Sequence, residues 1–316
     1  MLLSLSWGQG NFPRIFRNYP PDLTSFPQIP ATYPHLLLFQ GLPFRIPKPV
    51  PQIFLGFLFS ALIAYLAFRA GALAPSGAWA AVLTGGLIFG LGGIPWAVLL
   101  LTFFISSSLL SRAFAARKSG LAEKFDKGSR RDYGQVLANG GLGALLALVL
   151  ALFPLKEWLW IAFAGAMAAV TADTWATELG VLSTTSPRLI TNRKVVERGT
   201  SGGITLFGNL SALAGAALIG FGAALFTPST PASRLMAVFT VAGFAGAAFD
   251  SFLGASVQAI YYCPQCQKET ESHPHHRCGN ETVQVRGWRW LNNDLVNFSC
   301  SLVGASVAVA IWGLLF

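Results

Sequence analysis

Residues 157–180 read EWLWIAFAGAMAAVTADTWATELG, a largely apolar stretch that carries two carboxylates, Asp173 and Glu178, near its end. A membrane-spanning helix needs roughly 20 predominantly apolar residues, so this stretch is long enough to cross a bilayer. An ionisable side chain within hydrocarbon costs about 3 kcal/mol or more, and it normally faces a partner, a metal ion or a water-filled cavity. The stretch therefore predicts a transmembrane helix with a functional site near one end.

Two more carboxylates occur in apolar surroundings. Asp250 lies within GAAFDSFLGAS, and Asp294 opens the last apolar run in LNNDLVN. A lone acid in the middle of a span needs a partner, which makes Asp250 a candidate for the same site as Asp173. Asp294 has a second interpretation as an ordinary helix N-cap. Glu178 is close enough to the membrane boundary to be simply solvated.

The composition is typical of a membrane protein, since 53% of the residues are hydrophobic and only 11% are charged. Soluble domains contain roughly 25% charged residues. We predict an all-α polytopic membrane protein with about eight (seven to nine) transmembrane helices. The predicted spans are 52–70, 77–94, 95–111, 135–153, 157–180, 203–226, 234–261 and 295–315, of which the second and third could form a re-entrant pair. Residues 51–316 would form this integral membrane domain, and the proline-rich residues 1–50 an irregular extension.

Long connections at 112–134, 181–202 and 262–294 contain most of the basic residues of the helical region. All three follow odd-numbered spans, so they share one side of the membrane, and the positive-inside rule makes that side cytoplasmic. We attribute the net charge of +9 to this topology and expect no nucleic-acid partner. The predicted location is the inner membrane of a bacterial cell. The sequence does not determine the oligomeric state.

The segment GTSGGIT, residues 199–205, joins one of these basic connections to an apolar helix. Its small residues allow a close backbone approach, and a helix that begins there would point its free N–H groups at an anion. Three basic residues just upstream, namely Arg193, Lys194 and Arg198, would complete a phosphate clamp. The same string also suits a helix cap or helix packing, and it lacks the spacing of a Walker A loop.

A polar stripe enters the fourth predicted span. Arg131, Gln135 and Asn139 recur at four-residue spacing, which aligns them along one face of a helix. Polar groups in membrane helices normally face the bundle interior or water. This face is therefore predicted to line a cavity.

Three of the four cysteines lie in the loop 262–290. Cys263 and Cys266, in the string CPQC, and the later His276 and Cys278, in HRC, are four candidate ligands for a closed tetrahedral Zn²⁺ site. Disulfides are not expected, because thiols on the cytoplasmic side stay reduced. Unbound thiols and a redox pair are the alternatives to a structural zinc.

Five strings in the chain resemble, in this order, an integral-membrane family that includes transmembrane protein 19 and the chloroplast phytyl-phosphate kinase of tocopherol synthesis. The strings are FAARKSGLAEKFDKGSRRDYGQVLANGG, ADTWATELG, GTSGGIT, FDSFLGASVQ and NNDLVN. The resemblance covers about residues 52–316. It implies transfer of a phosphoryl group from a nucleoside triphosphate, with CTP favoured, to an isoprenyl monophosphate such as phytyl phosphate, which becomes the diphosphate.

By matching position, the resemblance also implies a set of site residues. They are Arg131, Gln135, Asn139, Asp173, Glu178, Thr200, Ser201, Gly202, Gly203, Thr205, Asp250, Ser251, Asn293, Asp294 and Asn297. Only some members of the family have the Cys/His loop, which favours an accessory role for that loop.

Phosphoryl transfer requires mainly positioning and charge neutralisation, by Mg²⁺ held on carboxylates and by basic groups around phosphate oxygens. We predict that Asp173 and Asp250 hold Mg²⁺ with the nucleotide, that Glu178 lies beside them, and that Asp294 helps to form a third wall. The turn at 200–203, with Arg193 and Lys194, would surround the phosphates, and the prenyl chain would lie between helices.

A membrane transporter, or an ion or lipid-phosphate pathway, is the alternative function. Glycine-rich broken helices and acids at the membrane midplane also occur in such proteins. Basic and glycine-rich elements on one side of the membrane favour the enzyme, because a transporter needs access from both sides.

Overall fold

The computed structural model describes residues 49–114, 130–153 and 157–315. Within these ranges, seven helices are long and apolar enough to cross a membrane. Their bounds are α1 Pro49–Arg69, α2 Pro75–Ala113, α3 Tyr133–Leu152, α4 Glu157–Gly180, α5 Leu206–Ala224, α6 Ala232–Ser256 and α7 Asn293–Leu315. The predicted all-α polytopic fold is confirmed. Apart from its last two residues, the predicted extension 1–50 lies outside the described residues, and its separation from the membrane domain stays a prediction.

Helix α2 folds back on itself at Gly93. The backbone of Gly93 is left-handed, with a φ of 76°, and Pro95 follows inside the same element. A Cβ atom added to Gly85 would lie 4.0 Å from the side chain of Leu100. Along a straight helix those two residues would be about 22 Å apart. The two halves of α2 therefore run antiparallel, side by side.

The fold-back of α2 explains why the sequence predicts two spans in this region. Residues 77–94 and 95–111 form the two antiparallel halves, and each half has about the length that one crossing needs. The guanidinium of Arg112, at the end of the second half, donates to the carbonyl of Ala70, just after α1. Both ends of α2 therefore lie at the same end of the bundle.

Helix α4 lies at the centre of the bundle and packs against α5, α6 and α7. Every residue from Ile161 to Ala172 is buried. Small residues dominate this stretch, so the neighbouring backbones approach closely. A Cβ atom added to Gly165 would lie 2.5 Å from the Cβ of Ala308 in α7, and one added to Gly304 would lie 2.4 Å from the Cβ of Ala169. Helix packing on all sides, rather than contact with lipid, accounts for the apolar sequence of α4.

Two long connections lie at the end of the bundle where α2 ends and where α3, α5 and α7 begin. We call it the loop end. The connection between α4 and α5 contains an antiparallel pair of short strands. The connection between α6 and α7 contains a three-stranded antiparallel sheet, in which the first strand in sequence lies between the other two. Their bounds are β1 Arg188–Leu189, β2 Gly203–Ile204, β3 Ile260–Cys263, β4 Lys268–Thr270 and β5 Val283–Arg286. The assignment of the loop end to the cytoplasm stays a prediction.

Aromatic packing closes the opposite end of the described bundle. The rings of Trp96 and Phe163 stack with their centroids 4.2 Å apart. The indole N–H of Trp160 donates to the hydroxyl of Thr227 at 3.1 Å. These contacts join the fold-back of α2, the start of α4 and the end of α5.

Two predicted helix boundaries differ from the structure. The span predicted at 234–261 ends as a helix at Ser256, because its last residues belong to strand β3. The span predicted at 203–226 begins at Leu206, after strand β2. An apolar run does not by itself distinguish a helix from a buried strand that continues it.

We expect Gly304→Ala to destabilise the bundle, because the new methyl group would meet the Ala169 Cβ at 2.4 Å and the Gly165 carbonyl oxygen at 2.6 Å. Overpacking of this kind costs about 1–3 kcal/mol. Gly313→Ala in the same helix is the matched control, since a Cβ there meets nothing within 4 Å. Size-exclusion chromatography after heating in detergent measures both melting temperatures. Equal values would contradict the close packing of α4 against α7.

Candidate active site

A polar cavity with a volume of about 410 Å³ opens at the loop end. Helices α2 to α7 and the two long connections all contribute to its wall. The predicted site residues that line it are Arg131, Gln135, Asn139, Asp173, Glu178, Thr200, Ser201, Gly202, Gly203, Thr205, Asp250, Ser251, Asn293 and Asn297. These residues come from motifs far apart in sequence. They meet because each motif lies at the loop end of its helix.

Four carboxylates line this cavity, and three of them are candidates for one metal site. Asp173 of α4 and Asp250 of α6 both line it, and so does Glu271 from the three-stranded sheet region. Asp173 and Glu271 lie within electrostatic range of Asp250. The Oδ2 atom of Asp250 is buried and has no hydrogen-bond partner among the described residues. Hard oxygen ligands of this kind suit Mg²⁺, so these three residues could hold that ion.

Glu178 is buried rather than solvated, with only 9% of its surface exposed. Its carboxylate accepts a hydrogen bond from the Ser111 hydroxyl of α2 at 2.8 Å. The Arg131 guanidinium donates to the hydroxyl of Ser108, on the same helix, at 2.7 Å. Burial lowers the pKa of Arg131, whereas the nearby charge of Glu178 raises it. Arg131 and Glu178 thus lie within electrostatic range of each other on the cavity wall.

The chain just before α3 fixes the position of Arg131. Its N–H donates to the Ala72 carbonyl at 3.0 Å, and its carbonyl accepts from the Ala74 N–H at 2.9 Å. The Asp132 side chain then caps α3 by accepting from the Gln135 N–H at 3.0 Å. The predicted helical stripe is therefore corrected at its first residue: Arg131 lies before α3, and only Gln135 and Asn139 belong to the helix, although all three line the cavity.

The turn formed by residues 199–203 rests directly against α6. Gly202 has a φ of 79°, a conformation that glycine adopts at little cost. A Cβ atom added there would lie 2.3 Å from the backbone nitrogen of Ala255. The Gly203 N–H donates to the Thr200 carbonyl at 3.0 Å. Backbone of this turn thus forms part of the cavity wall.

The start of α5 lies beside that turn. Thr205 is the N-cap, since its hydroxyl oxygen accepts from the Gly208 N–H at 3.0 Å. The positive end of the helix dipole is therefore at the cavity, which both residues line. Arg198 also lines the cavity, and its guanidinium donates to the Ser183 carbonyl at 2.7 Å. A cation and a helix N-terminus are both available to an anion here.

Three predicted site residues are not part of the described cavity wall, namely Arg193, Lys194 and Asp294. The two basic residues are exposed, in a tight turn where the Arg193 N–H donates to the Leu189 carbonyl at 2.8 Å. Asp294 lies in the first turn of α7. The N-cap of that helix is Asn292, whose side chain accepts from the Leu295 N–H at 3.0 Å.

Sequence reasoning missed several residues of the cavity wall. They are Ser111, Thr174, Thr177, Asn209 and Glu271. A signal existed for Asn209, which follows Thr205 by one helical turn in an otherwise apolar helix. Thr174 and Thr177 adjoin the acids of α4. Glu271 lies in the Cys/His loop, and nothing in its local sequence indicates that the loop folds back over the cavity.

A second cavity, of about 180 Å³, lies between α1, α2 and α3. Its wall is mainly apolar, with residues such as Phe59, Leu100 and Phe104. Arg131, Gln135 and Asn139 line this apolar cavity as well as the polar one. The guanidinium carbon of Arg131 lies 5.6 Å from the ring centroid of Phe104, within cation–π range. The polar stripe of α3 thus forms a shared wall between the two cavities.

The four predicted zinc ligands also come together. Suitable atoms of Cys263, Cys266, His276 and Cys278 lie within 4.8 Å of one another. They belong to the sheet region that contributes Glu271 to the polar cavity.

Comparisons with known proteins agree with this description. The family model described as "Integral membrane protein DUF92" matches residues 58–305. Protein PGR of Arabidopsis thaliana is 31% identical over 79% of the chain and 93% of its own length. An uncharacterised membrane protein of Methanocaldococcus jannaschii is 37% identical over 65% of the chain and 82% of its own length. The chloroplastic Protein VTE6 of Arabidopsis thaliana is 25% identical over 75% of the chain and 64% of its own length. No solved structure matches the chain.

We expect Gly202→Ala to disrupt the cavity, because it combines an unfavourable φ with a methyl group 2.3 Å from the Ala255 nitrogen. Gly71→Ala is the matched control, since its φ is +75° and a Cβ there meets nothing within 4 Å. The control should lose about 1 kcal/mol of stability, and Gly202→Ala about 1–3 kcal/mol more. Melting temperatures in detergent test this expectation. A control as unstable as Gly202→Ala would disprove the contact between the turn and α6.

Proposed function

The chain belongs to the family described as Integral membrane protein DUF92, and we propose that it is a prenyl-phosphate kinase. An oxygen of an isoprenyl monophosphate, such as phytyl phosphate, attacks the terminal phosphorus of a nucleoside triphosphate, for which CTP is the favoured donor. The bond to the leaving nucleoside diphosphate breaks, and an isoprenyl diphosphate forms. The observation that carries the proposal is the shared wall between a polar cavity, which is lined by Arg131, Arg198 and a helix N-terminus, and an apolar one. This arrangement suits a substrate with a phosphate head and a hydrocarbon chain.

The carboxylates of the polar cavity would hold the metal of this reaction. Asp173 and Asp250 are the proposed ligands. The buried Oδ2 of Asp250, for which the described part of the chain supplies no hydrogen-bond partner, supports the choice. When bound, Mg²⁺ neutralises charge on the phosphate oxygens. The carboxylates fix the location of that positive charge. No general base is required, because the attacking phosphate oxygen is already anionic.

Positive groups on the other walls would bind the phosphates. Arg131 lines the cavity from the chain just before α3, and Arg198 from the connection before β2. The N-terminus of α5 lies beside the turn at 199–203. Guanidinium groups and free backbone N–H groups both stabilise phosphate oxygens. Arg193 and Lys194 are exposed in the tight turn that follows β1. They would contact only a nucleotide that extends out of the cavity.

The apolar cavity would hold the start of the isoprenyl chain. The phosphate head would then lie beside Arg131, whose planar cation contacts both the aromatic side chains of α2 and the polar cavity. Phe59 lines the apolar cavity and is 47% exposed on the outer surface of the bundle. The remainder of a long chain would thus continue into the surrounding lipid.

Distant similarity supports the proposed chemistry. The 25% identity with the chloroplastic Protein VTE6 supports a prenyl-phosphate kinase-like activity for this chain. The residues that carry this resemblance are largely the same residues that line the polar cavity. The loop end would face the cytoplasm, where nucleoside triphosphates are present.

A transporter that uses the same acids is the competing function, and the packing of α4 argues against it. All residues from Ile161 to Ala172 are buried, and Trp96 stacks on Phe163 at the opposite end. In the described part of the chain, the polar cavity is therefore closed by the tightly packed residues of α4 and has no second opening at the opposite end.

We expect Asp173→Asn and Asp250→Asn each to lower the rate of phosphoryl transfer about 100-fold or more, because each removes charge from the metal site. Glu157→Gln is the matched control, since Glu157 is an exposed carboxylate at the opposite end of the same helix. The assay uses purified protein, Mg²⁺ and labelled CTP, ATP, GTP or UTP, with phytyl, geranylgeranyl, farnesyl or longer prenyl monophosphates. If no combination of nucleotide and prenyl monophosphate gives a diphosphate product, and the protein supports ion flux in liposomes, the transporter would be favoured.

We expect Ala97→Phe to raise the KM for phytyl phosphate several-fold, because its new ring would fill part of the 180 Å³ apolar cavity that Ala97 lines. The KM for the five-carbon dimethylallyl phosphate should change little. Ala61→Phe is the control, since Ala61 is exposed on the outside of α1. Equal effects on long and short substrates would rule out the apolar cavity as the chain site.

A further inference from the structure

The Cys/His cluster has the dimensions of a tetrahedral zinc site. The sulfur atoms of Cys263 and Cys278 are 3.6 Å apart. The Nδ1 atom of His276 is 3.5 Å from the Cys266 sulfur and 3.3 Å from the Cys278 sulfur. Zn–S bonds of about 2.3 Å at tetrahedral angles separate two sulfur ligands by about 3.8 Å. A disulfide would need about 2.05 Å, so these distances fit a shared metal ion and not a covalent bond.

Two tight turns hold the four ligands in place. After the first cysteine pair, Gln267 has a φ of 52° and its N–H donates to the Cys263 carbonyl at 2.9 Å. In the second turn, the N–H of Gly279, whose φ is 88°, donates to the His276 carbonyl at 2.8 Å. The amide of Asn280 also donates to the Cys278 sulfur at 3.4 Å. Such donors orient and stabilise thiolate ligands.

The buried side chain of Gln258 connects the sheet region to other parts of the polar cavity wall. Gln258 is only 1% exposed. Its Nε2 donates to the Glu271 carboxylate at 3.0 Å and to the Asn293 side chain at 3.4 Å, and its Oε1 accepts from the Ser201 hydroxyl at 2.7 Å. The amide of Gln258 therefore connects three walls of the cavity. Glu271 follows strand β4, between the two zinc-ligand turns.

We propose that Cys263, Cys266, His276 and Cys278 bind one Zn²⁺, and that this ion holds Glu271 in the wall of the polar cavity. The strands β3 and β4 are short, with four and three residues, and most of the connection is irregular. Short strands have few hydrogen bonds to offset the chain entropy of ordering such a connection. Zinc supplies that ordering free energy, as structural zinc sites do in other small domains.

Glu271 has a defined role in this arrangement, and this part rests on the proposed kinase function. It lies within electrostatic range of Asp250, as Asp173 does, and it adds negative charge to the proposed Mg²⁺ site. Loss of zinc would release Glu271 together with the amide network of Gln258. The Mg²⁺ requirement of the reaction would then rise, although no zinc ligand contacts substrate.

Metal analysis of the purified full-length protein tests the zinc site directly. We expect about one equivalent of zinc in the parent protein and in Cys300→Ser, a control cysteine that is buried in α7 away from the cluster. The double variant Cys263→Ser, Cys266→Ser should contain none. The zinc site would be overturned if the parent protein, expressed in zinc-supplemented medium, contains no zinc, or if the double variant retains zinc.

Hydrogen exchange tests whether zinc orders the cavity wall, without reference to activity. Chelation of zinc from the parent protein should increase exchange in residues 258–286 and at the start of α7, and added Zn²⁺ should restore protection. This measurement also covers the case in which the double variant does not fold. Unchanged exchange near Glu271 after zinc loss would overturn the coupling.

Glu271→Gln completes the test, with Glu269→Gln as the matched control because Glu269 is exposed on β4. Zinc content should be unchanged in both. Only Glu271→Gln should raise the Mg²⁺ concentration for half-maximal activity, by about tenfold. An unchanged Mg²⁺ requirement would remove Glu271 from the metal site. If no kinase activity exists, the zinc content and hydrogen exchange still decide the structural half of the proposal, so the two failures are distinguishable.

Discussion

The central constraint on this structure is the burial of residues 161–172 of α4 among the neighbouring helices. A helix surrounded by other helices in a membrane must present small residues on every side, and Gly165 and Ala169 meet α7 at backbone distance. Such a helix can carry charged side chains only near an end, where an aqueous cavity is available. Asp173 and Glu178 occupy that end. The position of the polar cavity therefore follows from the packing of α4, because the neighbouring helices must open there to accommodate the acids.

Much of this architecture was predictable from the sequence. Apolar run length predicted the spans, including both halves of α2, and the acids and glycine motifs predicted most residues of the polar cavity. These features depend on local composition and on the cost of polar groups in lipid, which a single sequence displays. The polar face of α3 was also predictable, because the four-residue spacing of Gln135 and Asn139 is a helical property, whereas Arg131 lies before the helix and is positioned by backbone hydrogen bonds to Ala72 and Ala74.

Other features depend on contacts that local sequence does not encode. The short strands of the connections depend on pairing between distant segments. Arg193 and Arg198 lie in the same basic connection, but only Arg198 lines the cavity. A tight turn after β1 keeps Arg193 on the exposed surface. Glu271 was not predicted for the same reason. Its position depends on how the Cys/His loop folds back over the helices.

The shared wall of α3 has a kinetic consequence for an amphiphilic substrate. One substrate of the proposed reaction is dissolved in water and the other in lipid, so the two reach the polar cavity from different phases. The rate would then depend on the mole fraction of the isoprenyl phosphate within the bilayer rather than on its bulk concentration. Dilution with inert lipid would slow the reaction even at a constant total amount of substrate. The diphosphate product, which keeps its hydrocarbon chain in the apolar cavity, would leave sideways into the same leaflet.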